Sequence, residues 1–238
     1  MLAVALVQLP VMAALLVLGD APRSAVASWL VAVVGLGAYD LWGKRMPIPV
    51  LPDLVQGIGF AALLVAGAQW AGGGTSVTWL IATYVVVYIV QINAVHGGLR
   101  DLLNDVAHGA RTTPILLGCT ADPDGTPHLS VPMAALAIAT EAAMIGALGQ
   151  VLVLADSGVV AATAVVGLVV KLVGSWFGWR AYRHIADRSR MMGLGVWNLF
   201  WTLLAVVIAP LGAASIGLAL LTMAVFLLPP WYFARLTS

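Results

Sequence analysis

Long apolar blocks, each near the length of a bilayer crossing, alternate with short polar breaks along the whole chain. Hydrophobic windows predict eight helices, near 2–19, 25–43, 53–71, 77–97, 131–154, 157–181, 193–211 and 215–234. Each approaches the ~20 residues that cover the hydrocarbon. Pro22, the Gly72-Gly73-Gly74 run, Asp156 and a turn at 210–212 break the pattern between blocks. Period-two alternation is absent, and a backbone in lipid must satisfy its own hydrogen bonds. Helices are therefore the element expected throughout. The pattern predicts an all-α, polytopic transmembrane helical bundle of about eight spans, forming a single domain over 1–238. No linker, low-complexity tract or short-period repeat divides it.

Composition agrees: 62% of residues are hydrophobic and 9% charged, with mean hydropathy +1.02. Soluble domains carry about 25% charged residues. A net charge of +1 gives no argument for a nucleic-acid partner. The lone Cys119 excludes an intramolecular disulfide. Block 2–19 has no basic residues ahead of it and runs a full span, so it reads as mature protein rather than a signal peptide. Lys44, Arg45, Arg100, Arg111, Arg180, Arg183, Arg188, Arg190 and Arg235 all fall on one side if the chain crosses eight times. Arg23 falls opposite, and Lys171 lies within a span. The positive-inside rule makes the basic side cytoplasmic, with both termini there. The expected location is the cell (inner) membrane.

Polar chemistry concentrates in 93–118, where the longest polar connection begins. A helix carried through 77–108 places Asn93, Gly97, Asp101 and Asp105 along one stripe. Arg100, Asn104 and His108 form the stripe beside it. Carboxylates at i and i+4 repel mildly, by ~0.2–0.5 kcal/mol, and a divalent cation between them removes that repulsion. Magnesium suits such a pair, because it takes few carboxylates and completes its shell with water and phosphate oxygens. Arg100 and Arg111 stand close enough in sequence to grip the same phosphates. Gly109 then ends the helix, and Thr112-Thr113-Pro114 turns the chain away. The stretch from Ala121 to Pro127 reads as a surface loop.

The string Arg100-Asp101-x-x-x-Asp105-x-x-x-Gly109-x-x-Thr112-x-Pro114-x-x-x-Gly118 resembles the second aspartate-rich motif of the UbiA superfamily of intramembrane prenyltransferases. Tyr39 followed by Lys44-Arg45 is similar to the Tyr…Lys-Arg that closes the family's fourth helix, with a spacing one residue longer. Asp53-Leu-Val-Gln-Gly-Ile-Gly-Phe resembles the glycine-bearing start of the helix after that one. The resemblance implies a bundle of usually nine spans with a cavity open near the cytoplasm. There, Mg²⁺ and an isoprenyl diphosphate are held, and the prenyl group passes to a small acceptor, often aromatic, such as a 4-hydroxybenzoate or quinone precursor. Carried over residue by residue, Asp101 and Asp105 are the catalytic metal ligands, and Arg100, Arg111, Lys44 and Arg45 the diphosphate contacts. Tyr39 joins the pocket. Asn93 and His96, at the polar end of the same helix, are candidates to orient the acceptor or take its proton.

The family's first motif, Asn-Asp-x-x-Asp, is not found in this chain. The one Asn-Asp pair is Asn104-Asp105, with His108 where the third carboxylate belongs, and four spans precede it where the first motif allows two. The resemblance thus covers the family's third helix onward, with one extra span at the end. Two expectations stand: a native start upstream of Met1, or a degenerate or split form. Either way the polypeptide as written is expected to turn over poorly or not at all. The alternative is a non-catalytic membrane protein or small transporter, although the pseudo-repeats expected of a transporter are not visible. A CDP-alcohol phosphotransferase fits worse, since Ala110-Arg111 and Asp124-Gly125 occur in the reverse of its order.

Glu141 and Lys171 lie deepest among the charges, each ten residues from the cytoplasmic end of its span. At ~1.5 Å per residue both sit about 15 Å deep on consecutive antiparallel helices, which predicts an intramembrane ion pair. Trp42, Trp70, Trp79 and Trp231 read as interface anchors. Trp176, Trp179, Trp197 and Trp201 read as belt residues or as walls of an isoprenoid channel. Gly57-x-Gly59 and Gly193-x-Gly195 predict close helix contacts. His128 and His184 read as loop residues.

Overall fold

The computed structural model describes residues 10–11, 13–43 and 48–210. Six helices among them are long and apolar enough to cross a membrane. They are α1 (Arg23–Trp42), α2 (Leu51–Trp70), one continuous helix over 76–107, α6 (Val131–Val153), α7 (Gly158–Arg183) and α8 (Arg188–Ile208). The continuous helix comprises α3 (Ser76–Val90), a π-helical stretch Gln91–Gly97 and α4 (Gly98–Ala107). These six match the blocks expected from 25–43 to 193–211. The span expected at 215–234 lies outside the described residues, as does half of that at 2–19, of which 13–18 are helical.

The caps follow local chemistry. Thr75, Ser130, Ser157 and Asp187 each accept a backbone N–H two or three residues into α3, α6, α7 and α8. At the other end of the polar helix Gly109 adopts φ +62°. The Ala110 N–H then reaches back to the Asp105 carbonyl at 2.9 Å, the closure the sequence predicts. The next residues do more than turn away: Thr113–Leu116 forms the single-turn helix α5, and Pro114 packs against Gly98. The expected surface loop contains a small hairpin, β1 (Thr120–Ala121) with β2 (Pro127–His128). Helix is thus not the only element. His128 sits in β2, with its Nε2 2.9 Å from an Asp122 oxygen.

The helix over 76–107 is the hub: α3 contacts α2, α6 and α8, and α7 packs along α8. Tyr84, Met144, Leu148, Val151 and Ala164 form the main core. The Tyr84 hydroxyl donates to the Thr202 carbonyl at 2.6 Å, and that of Tyr88 to the Leu199 carbonyl at 3.1 Å. Gly57 meets the Val86 backbone, where a Cβ would stand 2.9 Å from the carbonyl oxygen, and Gly59 meets Leu36. That glycine pair makes the contacts predicted. Gly193 faces open space, and Gly195 lies instead against the His96 ring.

Candidate functional site

The polar end of the long helix forms one wall of a cavity of about 340 Å³. Asn93, Arg100, Asp101 and Asp105 line it from that helix, Tyr39 from α1, and Arg111 from the connection to α5. Six of the residues marked out by sequence thus come together at one end of the bundle. Lys44 and Arg45 lie outside the described residues, although Gly43, just before them, also lines the cavity.

Asp101 and Asp105 are partly buried on this wall, whereas Asn104 and His108 of the adjoining stripe face outward. Arg100 donates Nε and one Nη to the two oxygens of Asp101, both at 2.8 Å. The two side chains are about half exposed (52% and 46%). This pair is therefore worth ~0–1 kcal/mol, a grip easily exchanged for a better partner.

Other residues complete the cavity that the sequence does not single out as site residues. Asp53, on the first turn of α2, is buried and lines it. The Thr113 hydroxyl donates to Asp53 at 3.3 Å and accepts the Val50 N–H at 2.9 Å. Val50 holds φ +67°, a strained conformation for a β-branched residue. The Thr113 bond thus spans 63 residues to fix the tight entry into α2. Asn93 donates its amide to Gln56, tying the long helix to α2 beside the cavity. Asp53 and Gln56 both sit in the α2 string that sequence matches only by its glycines. No local pattern identifies Thr113 as the partner of Asp53.

The π-helical stretch distributes its three polar side chains to three surroundings. Asn93 goes to the carboxylate cavity, Gln91 into the core toward Glu141, and His96 toward a second cavity of about 180 Å³. Such widened turns recur where side chains must be re-aimed for function. His96 therefore does not join Tyr39 in the first cavity. It lies beyond Asn93, Gly97 and Arg100, which border both.

The deep ion pair forms as predicted, with Lys171 donating to Glu141. Glu141 also accepts from Ser175 at 2.6 Å, from Asn198 at 3.1 Å and from Gln91. Lys171 is fully buried. Trp176, Trp179 and Trp197 are exposed, and neither cavity is lined by them or by Trp201. Arg180 covers the Trp176 ring at 4.9 Å and Arg183 that of Trp179 at 4.8 Å.

No protein-family model matches the chain, nor does any curated protein or solved structure. The resemblance to the UbiA superfamily rests on the chain's own motif residues.

Proposed function

We propose that the chain carries the second-motif half of the site of a membrane prenyltransferase of the UbiA kind, binding an isoprenyl diphosphate with Mg²⁺ in the carboxylate cavity. The reaction of such a site passes the prenyl group to a small acceptor, and the polypeptide as written turns over poorly or not at all. The observation that carries this reading is the convergence of Tyr39, Asn93, Arg100, Asp101, Asp105 and Arg111 on one hollow at the end of apolar helices. Their positions span more than seventy residues of sequence.

Magnesium suits the residues present. Among the described residues, no group of three His, Cys, Asp or Glu side chains gathers to hold a metal alone. Magnesium does not require one, since it binds through one or two carboxylates and completes its shell with water and substrate phosphate oxygens. Asp101 and Asp105 supply that pair. The buried Thr112 hydroxyl, in the connection to α5 that also lines the cavity, has no hydrogen-bond partner among the described residues and offers another oxygen. When bound, magnesium neutralises charge building on the departing diphosphate.

The protein's own part is binding and orientation. Arg100 and Arg111 take phosphate oxygens in charge-assisted hydrogen bonds, Arg100 exchanging its weak pair with Asp101 for them. The apolar helices take the isoprenoid tail. In the transfer, the bond between the prenyl carbon and the diphosphate oxygen breaks with its electron pair on diphosphate. The prenyl carbon bonds to the acceptor, which gives up a proton. The location that goes with this reading is the inner membrane, with the basic end of the bundle in the cytoplasm.

One observation favours a second reading, a non-catalytic membrane protein: the two-pronged Arg100–Asp101 pair satisfies both groups without a ligand. Binding separates the two. Purified chain should retain labelled isoprenyl diphosphate in Mg²⁺ and release it in chelator. Asp101→Asn and Asp105→Asn should each weaken retention at least about tenfold, or ~1.4 kcal/mol. Equal retention with and without Mg²⁺, unchanged in both variants, favours the non-catalytic protein.

A further inference from the structure

The outer side of α7 and α8 carries a continuous run of aromatic rings, closed at one end by two cations. Trp176 meets Phe177 edge-on with ring centroids 4.9 Å apart, and Phe177 stacks beside Trp197 at 6.1 Å. Trp197 in turn stacks on Trp201 at 6.4 Å. Trp176, Trp179 and Trp197 are each about half exposed, on helices apolar enough to cross a membrane. Counted from Arg188, Trp197 and Trp201 stand ~14 and ~20 Å along α8 at ~1.5 Å per residue. That is deeper than the belt interface tryptophans occupy, so anchoring alone does not account for them.

The cations are Arg180 and Arg183, in the last turn of α7. Helical side chains lean toward the N-terminus, so at this end both arginine stems lead back along the apolar span rather than out toward water. Each guanidinium lies over the ring one turn earlier, Arg180 on Trp176 at 4.9 Å and Arg183 on Trp179 at 4.8 Å. The ring covers one face and leaves the edge, where the five N–H groups point, open. Arg100 and Lys171 each have a carboxylate partner, whereas Arg180 and Arg183 form no ion pair among the described residues. Asp187, the nearest acid in sequence, caps α8 through the Arg190 N–H at 3.0 Å. Exposed Arg190 adds positive charge to the same connection.

We propose that this surface is a binding site for an anionic phospholipid. The phosphodiester takes the guanidinium edges of Arg180 and Arg183, and one acyl chain lies along the rings from Trp176 to Trp201. Charge selects the class of lipid. Two cations without an acid, at the end of an apolar span, favour a net negative headgroup, while a zwitterionic lipid brings its own ammonium against them. Planar N–H forks match phosphate oxygens. The exposed rings favour a lipid over a soluble phosphate, because only a lipid has a chain to cover them. Trp176 and Phe177 come from α7, Trp197 and Trp201 from α8, so the chain rests across both helices. None of these six side chains lines either cavity, so the lipid is independent of what the carboxylate cavity binds.

The test reconstitutes the full chain in phosphatidylcholine vesicles with a minor fraction of phosphatidylglycerol, and reads tryptophan fluorescence. Bromine on the acyl chains of one lipid or the other quenches the indoles it touches. At equal mole fraction, brominated phosphatidylglycerol should quench as though enriched at least about tenfold over brominated phosphatidylcholine. That excess should disappear in Arg180→Gln with Arg183→Gln. It should fall at least about threefold in Arg180→Lys with Arg183→Lys, which keeps the charge but not the planar fork. Arg23→Gln, at the far end of α1, should leave it intact, and Trp176→Phe with Trp197→Phe should remove much of it. Equal quenching by the two lipids overturns the inference. So does an excess that survives the glutamine pair, stands undiminished in the lysine pair, falls equally in Arg23→Gln, or is untouched by the phenylalanine pair. Reversal by soluble glycerol phosphate would mark a free-phosphate site and overturn it too.

Discussion

Gly98 has no room for even a methyl group: a Cβ there would lie 2.5 Å from Pro114 Cγ and 2.8 Å from its Cδ. Alanine gains about 1 kcal/mol over glycine in helix propensity, while overpacking against a rigid ring costs about 1–3 kcal/mol. At so short a distance the clash should win. Gly98→Ala is predicted to lose about 1–2 kcal/mol, read as a lower melting temperature in detergent, and to loosen the cavity wall that Pro114 completes. Asp101→Asn should behave oppositely. It removes an ion pair that is half exposed, so stability should change by less than ~1 kcal/mol while Mg²⁺-dependent ligand retention falls. A large stability loss in Asp101→Asn would mean the carboxylate is structural. The two aspartates are legible in the sequence because their spacing alone puts them on one helix face. Asp53 carries no such local signal, since its partner Thr113 lies sixty residues away and only folding brings them together.

Between elements, the reach of the long helix is set by its π-helical stretch, which no periodicity announces. Each residue added to a turn rotates the downstream side chains by about 100°. A regular helix read through Gln91, Asn93 and His96 therefore misjudges which neighbour each meets. Glu141 and Lys171 are easier, because equal depth on consecutive antiparallel helices is a matter of counting. Asn198, flanked by tryptophans in an apolar span, carries the right signal, a lone amide in the membrane. Its partner cannot be read from α8 alone. Removing one member of a buried pair strands the other charge, at a cost of about 3–5 kcal/mol. Lys171→Met is predicted to fold poorly by that margin, and Glu141→Gln with Lys171→Met to recover most of it. Denaturant titration in mixed micelles measures both. A double variant no better than the single one would argue against the pairing. The face of α7 that carries Lys171 also carries Gly167, Gly174 and Gly178. A Cβ at Gly167 would press on the Ala205 carbonyl at 2.9 Å. Gly167→Leu should therefore force α7 and α8 apart and lower stability by about 1–3 kcal/mol.

Across the molecule, bilayer-length apolar blocks make the described helices legible, since lipid leaves the backbone little choice. How the ends meet stays hidden from the sequence. The hairpin at 120–128 and the one-turn α5 are built from turn residues whose pairing depends on the helices beneath them. One end of the bundle gathers the connections after α1 and α4 and the first turn of α8, for Gly43, Arg111 and Met191 all border the paired cavities. With the basic residues there, that end should face the cytoplasm. In a Cys119→Ser background, cysteines at Asp124 and Asp156 lie before and after α6, whose 23 residues are about 35 Å long. A membrane-impermeant thiol reagent applied outside intact cells should label Asp156→Cys and spare Asp124→Cys. The reverse pattern would invert the topology. On the proposed reading the carboxylate pair holds a divalent metal against a diphosphate. Electron paramagnetic resonance of Mn²⁺ substituted for Mg²⁺, recorded with an isoprenyl diphosphate bound, tests it most directly. Phosphorus couplings should appear on the protein-bound metal and vanish in Asp101→Asn and Asp105→Asn. Metal that binds without phosphorus coupling, or couples equally in both variants, would contradict it.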